Sequence, residues 1–468
     1  MDTLNNLSIK NICERIFALE AKHGLLDLQV DGVKIWQYKR MHIYHRIIAS
    51  CGVVDYPPPL QRNWLSVLRS LWNSMVSILL HSPFRYRGKI DYLIFDHARP
   101  KILDGIPVDI YTHFLIEQLK KQGQRILVIE GPYQGTHIRP ASPERRRLEA
   151  INFRSLFDGL LGRNLCSREG LRQAEALNVL VRETFAVNLD LRPIFRAAVP
   201  RFHSNVRSYS KLLARLQPKS IYLVNGYSHF APLMYAARQA GISTVEIQHG
   251  VISRYHLGYS YPGRLALDYF ADYLELWGGY WAEIEEIPLP RERIITRGFP
   301  YFHYMKKSHA AVRRRQNQVL IFSQTIIGSR LAEQVLQAIE PGSTEELKIV
   351  YKLHPSEYLI WRNYPALVRL AQMPNVEIID RDCDVYRLYA ESEYQLGVFS
   401  TAIFEGIAMG CKTILFNLPG VEYMEQLAER GLIVYFTEGS SLSQNLKAAD
   451  SLPLLQRCEE FFGCAEAL

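Results

Sequence analysis

The chain has 468 residues, of which 48% are hydrophobic and 22% charged, a composition typical of globular proteins. This length accommodates two or three domains and a core that needs neither disulfides nor metal. The seven cysteines are scattered and form no CxxC pair, so the sequence indicates neither a disulfide framework nor a zinc ribbon. A net charge of +8 favours an anionic partner: a nucleotide phosphate, an acidic glycan, an anionic lipid or a nucleic acid.

Several features bear on cellular location. The first residues lack the basic head and apolar run of a secretory signal, and no stretch reaches the roughly 18 apolar residues of a membrane span. Dispersed cysteines are typical of a reducing compartment. We therefore expect a cytoplasmic protein, and leave open whether it also associates with the inner-membrane surface.

Residues 1–88 form a predicted N-terminal helical prologue. Its first helix spans 9–23, and a proline run at 57–59 marks a break. Helical spacing of apolar residues predicts an amphipathic helix over 64–80, with four arginines and a lysine within or beside it. Two interpretations are open: the apolar stripe packs on the domain, which we favour as the more common arrangement, or the helix lies on an anionic membrane leaflet.

From residue 89 onward, apolar strands alternate with amphipathic helices. The predicted strands of the first set are 90–96, 125–131, 220–226, 243–250 and 271–278; those of the second set are 318–324, 347–355, 375–380, 394–400, 412–417 and 432–436. This alternation predicts an α/β fold with two doubly wound parallel sheets, in domains over 89–300 and 301–468. Ligands of such sheets bind beyond the carboxyl ends of the strands, so the loops there are expected to carry the chemistry.

One such loop begins the segment 397–417. A buried strand ends here, and Ser400 and Thr401 follow at the start of a helix that Gly410 ends. Free backbone N–H groups, a positive dipole end and two hydroxyls together predict a phosphate site. Glu405 lies at i+4 from Thr401 on the same face, where it can accept hydrogen bonds from a ribose diol. The alternative is that Ser400 merely caps the helix.

A second loop follows the predicted strand that ends near residue 353. The strand delivers Lys352 and His354 to its carboxyl end, and Pro355 ends the strand. A lysine and a histidine at such a place can bind the phosphate of a leaving group, and the histidine can donate a proton as that group departs. The alternative is a histidine hydrogen-bonded for structural reasons.

The segment 352–355 (KLHP) resembles the HP motif of bacterial polysialyltransferases and related GT-B enzymes, and the segment 399–405 resembles their Ser/Thr motif. The pair is also similar to motifs of capsule Kdo transferases and of CDP-glycerol glycerophosphotransferases. The resemblance implies a GT-B fold, in which two Rossmann-like domains face an interdomain cleft, and a cytidine-nucleotide donor. It also implies that His354, Ser400 and Thr401 contact the nucleotide phosphate.

The sequence departs from two patterns of these enzymes. Many retaining GT-B enzymes carry a second acid eight residues before the motif glutamate; here that position is Gly397, which argues against the retaining subgroup. Polysialyltransferases carry two acids before a glycine in the N-terminal domain, whereas the segment 103–105 (LDG) offers only Asp104. The identity of the catalytic base therefore stays open.

Two loops of the N-terminal domain are expected to hold the acceptor and the base. Asp104 or His249 can deprotonate an acceptor hydroxyl, and Arg99 or Arg254 can hold a carboxylate by a bidentate contact. The other predicted acceptor contacts are His97 and Gln248. For each of these residues taken singly, the alternative is a side chain satisfied within its loop.

The spacing of Asp380, Asp382 and Asp384 is compatible with a divalent metal. We favour a solvated turn with a helix cap near Asp384, and we expect neither a metal nor any cofactor besides the nucleotide-sugar donor.

The leading hypothesis is a glycosyltransferase that moves sialic acid, Kdo or a similar sugar from a CMP-activated donor. The acceptor is expected to be a bacterial surface polysaccharide, such as capsule or O-antigen, or a lipid-linked glycan. One alternative is transfer of glycerol phosphate or a polyol phosphate from a CDP-linked donor to a teichoic-acid-like polymer. Another is a non-enzymatic protein that binds glycans or nucleic acid. Basic residues are dispersed rather than arrayed with aromatic ones, which argues against nucleic acid.

Overall fold

The N-terminal part of the chain is mostly helical. The computed structural model describes residues 7–55, 64–227, 229–339, 346–453 and 458–464, so the proline run at 57–59 lies outside the described residues. The first elements are α1 (Ile9–His23), β1 (Gln29–Val30), β2 (Val33–Lys34), α2 (Ile35–Ser50) and α3 (Trp64–Leu80). Ser8 begins α1 by accepting a hydrogen bond from the N–H of Asn11, and Gly24 ends it in the left-handed conformation.

A buried ion pair joins the first two helices to the first large domain. The guanidinium of Arg40 donates to both carboxylate oxygens of Glu20 at 2.6 and 2.7 Å, and also to the carbonyl of Ser260 at 2.7 Å. The hydroxyls of Tyr44 and Tyr423, 2.7 Å apart, join α2 to the second large domain. The prologue therefore contacts both halves of the protein.

The first large sheet has seven parallel strands in the order β11-β10-β9-β8-β3-β6-β7. Its region comprises β3 (Tyr92–Phe95), β4 (Lys101–Leu103), β5 (Ile106–Val108), α4 (His113–Lys121), β6 (Ile126–Glu130), β7 (Arg145–Arg147), α5 (Glu149–Leu160), α6 (Arg168–Phe185), α7 (Arg192–Leu216), β8 (Ser220–Val224), α8 (Ala231–Gln239), β9 (Ser243–Ile247), β10 (Tyr273–Leu276), α9 (Gly279–Ala282) and β11 (Ile294–Thr296). Strands β4 and β5 stand apart as an antiparallel hairpin.

The second sheet has six parallel strands in the order β14-β13-β12-β15-β16-β17. Its region comprises α10 (Pro300–Ser308), β12 (Arg315–Phe322), α11 (Gly328–Ala338), β13 (Lys348–Lys352), α12 (Pro365–Leu370), β14 (Val376–Ile379), α13 (Val385–Glu391), β15 (Ser392–Gly397), α14 (Thr401–Ala408), β16 (Lys412–Leu415), α15 (Glu425–Glu429), β17 (Val434–Tyr435), α16 (Leu442–Ala449) and α17 (Glu459–Phe462). Helix α17 returns to the first region, where the carbonyl of Phe461 accepts a hydrogen bond from Trp281.

These two parallel sheets, each covered by helices, confirm the predicted α/β GT-B fold class with an N-terminal helical part. The central strands are mostly apolar, because the middle of a parallel sheet covered on both faces buries nearly every side chain, whereas the edge strand β7 consists of three arginines. Strand β6 shows this directly, since all five of its residues are buried.

Helix α3 has the bounds that the apolar spacing predicts, but its orientation is the reverse of the favoured interpretation. Leu71 and Trp72 are each 62% exposed, whereas Ser77 is 4% exposed. The apolar stripe therefore does not pack on the domain, and that interpretation is wrong. Within the described ranges, no helix has the length and apolar content needed to span a bilayer.

Candidate functional site

A cleft of about 550 Å³ lies at the carboxyl ends of strands from both sheets. The loop after β3 lines one wall, and the loops after β12, β13, β14 and β15 line the other. Eight of the residues that the sequence analysis singled out line this cleft: Arg99, Lys352, His354, Pro355, Asp382, Asp384, Ser400 and Glu405. The cleft thus brings together the two motifs of the second sheet and one basic residue of the first.

The loop after β13 fixes the ring of His354. The N–H of Ser356 and the hydroxyls of Thr325 and Ser356 lie 3.3, 2.9 and 2.6 Å from Nδ1 of His354. A backbone N–H only donates, so Nδ1 is the acceptor and the ring proton resides on Nε2. Burial, together with the charges of Arg99 and Lys352, lowers the pKa of His354 to about 4. His354 is therefore a neutral imidazole whose Nε2–H remains to donate to a ligand.

A buried carboxylate holds this loop in place. Glu357 is fully buried, and it accepts hydrogen bonds from the N–H of His354 at 2.8 Å and from the hydroxyl of Ser323 at 2.9 Å. Burial raises the pKa of Glu357 to about 7. Ser323 also lines the cleft, so its hydroxyl connects the loops after β12 and β13.

Lys352 is buried at the end of β13. Its ammonium donates to the carbonyl of Leu353 at 2.7 Å and to the hydroxyl of Tyr358 at 2.6 Å. An ammonium has three protons, so one remains for a ligand. Burial lowers the pKa of Lys352 to about 8.

The opposite wall carries two cations that form no direct ion pair with another described residue. Arg99 and Lys101 are half-buried and line the cleft, and neither side chain has a hydrogen bond or an ion pair within the described part of the chain. Burial lowers the pKa of Lys101 and the nearby charge of Arg99 lowers it further, while the carboxylates of Asp382 and Glu405 oppose this decrease. Sequence reasoning missed Lys101, although its position two residues after Arg99, at the start of β4, was a usable signal.

The start of α14 combines a cap with a cleft-lining hydroxyl. The side chain of Ser400 accepts a hydrogen bond from the N–H of Ala402 at 3.2 Å and also faces the cleft. Thr401 does not line the cleft. It lies beside the other domain instead, since a Cβ placed on Gly250 would be 4.0 Å from its hydroxyl oxygen. The capping role and the ligand role predicted for Ser400 are therefore compatible.

Glu405 lies further along α14 and faces the cleft. Its two carboxylate oxygens accept hydrogen bonds from the hydroxyls of Tyr386 and Tyr389, at 3.0 and 3.2 Å. Burial raises the pKa of Glu405 to about 7, while the two tyrosine hydrogen bonds oppose that rise. Each oxygen retains a lone pair that a ligand hydroxyl can reach.

The three aspartates after β14 serve separate structural purposes. Asp384 caps α13 by accepting a hydrogen bond from the N–H of Arg387 at 3.2 Å, which confirms the favoured interpretation. Asp380 accepts from the indole N–H of Trp361 at 3.0 Å, and Asp382 accepts from Tyr358 at 3.4 Å. No group of three or more metal-ligating side chains comes together among the residues that the structure describes.

His249 belongs to a buried hydrogen-bonded chain outside the cleft lining. The hydroxyl of Tyr259 donates to Glu246 at 2.7 Å and lies 3.2 Å from Nδ1 of His249. Since its only proton is given to Glu246, Tyr259 accepts from Nδ1–H, and the unprotonated Nε2 accepts from the hydroxyl of Tyr227 at 3.4 Å. Burial lowers the pKa of His249 to about 3 and raises that of Glu246 to about 7. Sequence reasoning found His249 but missed its partners.

Asp104, the other candidate base, occupies the turn of the β4–β5 hairpin. It adopts a left-handed backbone with φ of 50°, and it is exposed. Its two carboxylate oxygens lie 2.8 and 2.7 Å from the hydroxyl of Tyr304 in α10. Asp104 does not line the cleft, so its observed contact is one between the two large domains.

The remaining predicted acceptor residues are also outside the cleft lining. Gln248 is fully buried, and its amide bonds to the carbonyl of Gly250 and the N–H of Trp277, so it holds the loop rather than facing a ligand. Arg254 forms an ion pair with Glu286 at 3.2 Å along a different groove. The ring of His97 packs edge-on against Tyr111. Of the predicted acceptor contacts, only Arg99 reaches the cleft.

No protein-family model and no curated protein matches the sequence. The fold is similar to solved structures of UDP-GlcNAc 2-epimerase from Methanocaldococcus jannaschii (10% identity, 81% of this chain and 97% of that chain, TM-score 0.47) and from Neisseria meningitidis, bound to UDP-GlcNAc (12%, 77% and 90%, 0.46). It is also similar to a glycosyltransferase from Rickettsia africae ESF-5 (15%, 78% and 89%, 0.43). At these sequence identities and TM-scores, the similarity does not indicate an activity. The fold class rests on the sheet topology of the chain itself.

Proposed function

We propose that the chain is a glycosyltransferase that takes a nucleotide-activated sugar into the cleft and transfers the sugar to a glycan. One observation carries the proposal: Arg99 and Lys101 face His354 and Ser400 across one cleft, at the carboxyl ends of strands from both sheets. Unpaired half-buried cations are costly unless they meet an anion, and a nucleotide phosphate supplies it. The sequence resemblance at 352–355 and 399–405 supports the same interpretation.

The donor phosphate is held from two sides. Nε2–H of His354, the third proton of Lys352 and the hydroxyl of Ser400 donate from the second domain, together with the free N–H groups at the start of α14. Arg99 and Lys101 approach from the first domain. These groups stabilise the negative charge that develops on the phosphate as the bond to the sugar breaks.

The nucleoside end of the donor lies toward Glu405. The two ribose hydroxyls donate to the free lone pairs of its carboxylate, which Tyr386 and Tyr389 hold in place. Because the hydrogen bonds from a diol to a carboxylate are charge-assisted, this contact favours the ribonucleotide over a deoxy analogue.

His249 is the proposed base. The acceptor oxygen attacks the anomeric carbon, its proton passes to Nε2 of His249, and the electron pair of the breaking carbon–oxygen bond leaves with the nucleotide phosphate. Nδ1–H of His249 stays bonded to Tyr259 throughout, which keeps the lone pair on Nε2, and the acceptor hydroxyl takes the place of the Tyr227 hydroxyl there. The loop of His249 meets the donor motif at Gly250 and Thr401. Closure of the two domains brings base and donor together and excludes water.

The proposed donor is a CMP-sugar carrying sialic acid, Kdo or a similar acidic sugar, and the proposed acceptor is a bacterial surface polysaccharide or a lipid-linked glycan. Arg99 suits such a donor, because its guanidinium can hold a sugar carboxylate by two parallel hydrogen bonds. The absence of a second acid at Gly397 supports an inverting transfer. A CDP-linked glycerol or polyol phosphate is the second candidate, since the same phosphate contacts serve it.

Release of CMP from each donor tests the proposal. The purified chain is incubated with CMP-sialic acid, CMP-Kdo or CDP-glycerol, each with a capsular or O-antigen polysaccharide. We expect CMP release from a CMP-sugar, at least tenfold slower in Ser400→Ala and His354→Ala. The matched controls, Ser451→Ala and His23→Ala at exposed positions, should match the wild type. Release from CDP-glycerol alone would favour the second candidate, and release from none of them would contradict the proposal.

A further inference from the structure

Helix α3, Trp64–Leu80, turns its polar side toward the protein. Ser77 is buried, and Ser70 packs so closely on the loop after β6 that a Cβ on Gly135 would lie 2.5 Å from its hydroxyl. The opposite side is exposed and apolar: Trp64, Leu68, Leu71, Trp72, Met75 and Leu79. A helix normally buries its apolar stripe because removing that surface from water is favourable. In α3 the stripe has no partner within the described residues.

The neighbouring helix α5 extends this apolar surface. Helices α3 and α5 pack on each other, and α5 exposes Phe153 and Phe157, which are 51% and 50% accessible and one turn apart. Their rings are nearly parallel, with centroids 6.5 Å apart. Leu161, immediately after the helix, is exposed as well. We call the exposed apolar side chains of these two helices the α3–α5 face.

The unpaired charges of α3 and the segment after it have one sign, whereas on α5 Glu149 is buried and Asp158 is paired with Arg163 and Arg207. Residues 64–89 contain no Asp or Glu, and their four basic residues are exposed: Arg69, Arg85, Arg87 and Lys89. None of the four has an ion-pair partner within the described ranges. This face therefore combines a broad apolar surface with basic residues, on α3 and in the segment that follows it, that form no ion pair within the described ranges.

We propose that the α3–α5 face docks the protein on the surface of an anionic phospholipid bilayer. Helix α3 lies along the bilayer surface, its apolar stripe reaches the acyl chains, and the basic residues contact lipid phosphates. Tryptophans such as Trp64 and Trp72 favour this boundary, where one end of the ring is apolar and the other wet. A second copy of this chain is a poorer occupant, because pairing two such faces would bring eight like charges together.

Helix α3 lies close to the edge of the first sheet that lines the cleft, so docking through α3 bears on the proposed reaction. The loop after β6, on which Ser70 packs, follows the same edge of the first sheet as the loop of Arg99. Docking through α3 therefore keeps that edge of the sheet near the membrane, where a lipid-linked acceptor is found. The docking itself does not depend on the reaction.

Vesicle co-sedimentation of the full chain tests the docking. The vesicles are phosphatidylcholine alone, or phosphatidylcholine mixed with phosphatidylglycerol. We expect binding to the mixed vesicles, about tenfold weaker in Leu68→Ser/Leu71→Ser and in Arg85→Gln/Arg87→Gln. The matched control is Leu265→Ser/Leu359→Ser, which removes two leucines that are 73% and 83% exposed elsewhere. This control should bind like the wild type.

The proposal is overturned if the wild type does not sediment with the mixed vesicles, or if Leu68→Ser/Leu71→Ser binds as strongly as the control. Light scattering after size exclusion measures the oligomeric state and so tests whether a second copy of the chain occupies this face. A wild-type dimer that the Leu68→Ser/Leu71→Ser substitution makes monomeric would assign the α3–α5 face to a second copy instead. Since both leucines are exposed, we expect all variants to melt at the wild-type temperature, and this checks that lost binding is not lost folding.

Discussion

The hydroxyl of Tyr259 lies 3.2 Å from Nδ1 of His249 while it donates its proton to Glu246 at 2.7 Å. This relationship sets the tautomer of His249 and so decides which ring nitrogen can act as a base. We therefore propose that the base lies on the loop after β9 rather than on the β4–β5 hairpin.

Tyr259→Phe removes the acceptor that holds Nδ1–H of His249. We expect the transfer rate to fall roughly 10- to 100-fold, because the ring loses its fixed tautomer and orientation. The unfolding free energy should fall by about 1–3 kcal/mol, since buried Glu246 loses a hydrogen bond. Initial rates and urea unfolding measure the two effects. Tyr222→Phe, in β8 and packed against Tyr92 rather than His249, is the control and should leave the rate within a few-fold.

Asp104→Asn separates the two candidate bases. Asp104 contacts Tyr304 and not the cleft, so we expect the variant to keep most of the transfer rate, whereas His249→Ala should lose at least about 100-fold. A rate that collapses in Asp104→Asn and survives in His249→Ala would reverse the assignment of the base.

Because the pKa of Glu405 is raised, we expect nucleotide binding to depend on pH. Burial raises its pKa to about 7, so the carboxyl is protonated at lower pH and ionised at higher pH. Ribose hydroxyls bind the ionised form better, so affinity for CMP should rise by up to about tenfold between about pH 6 and pH 8. Calorimetric titration measures it. Glu405→Gln and 2′,3′-dideoxy-CMP should each show a smaller rise, and an equal rise in both would place the ribose elsewhere.

The buried ion pair of Arg40 and Glu20 predicts a large effect on stability. Arg40→Met leaves the carboxylate of Glu20 buried without its partner, so we expect a loss of about 3–5 kcal/mol in the unfolding free energy. Denaturant unfolding measures this loss. The control is Arg172→Met, which breaks an exposed pair with Glu169 and should cost less than about 1 kcal/mol.

The sequence was sufficient for the fold class, and the donor-binding residues that it predicts in the second domain line the cleft, with the exception of Thr401. Strand-ending motifs such as Lys352-Leu353-His354 and Ser400-Thr401 are local, and parallel sheets bring the carboxyl ends of their strands to one edge. The acceptor side was harder, because it depends on which side chains of long loops turn inward. Gln248 and Lys101 look alike as polar loop residues, yet one is tied to backbone and the other faces the cleft.

The orientation of α3 could not be read from its periodicity either. An apolar stripe at helical spacing is the same whether it faces a core or its surroundings. Which side of α3 packs on the domain depends on how well the polar side fits there, and here Ser70 and Ser77 pack against the domain. The three serines at 70, 74 and 77 were the available signal, since small polar residues allow a close approach to neighbouring backbone.

The central claim is that one nucleotide phosphate sits between Arg99 and His354. Thermal shift with CMP, CDP, UDP, GDP and ADP tests it most directly, since a ligand that binds only the folded chain raises the melting temperature. The account predicts that CMP or CDP stabilises the wild type more than the other nucleotides, and that Arg99→Gln and His354→Ala each lose the shift while Arg172→Gln keeps it. A cytidine-nucleotide shift that survives in both cleft variants, or no shift with any nucleotide, would contradict it.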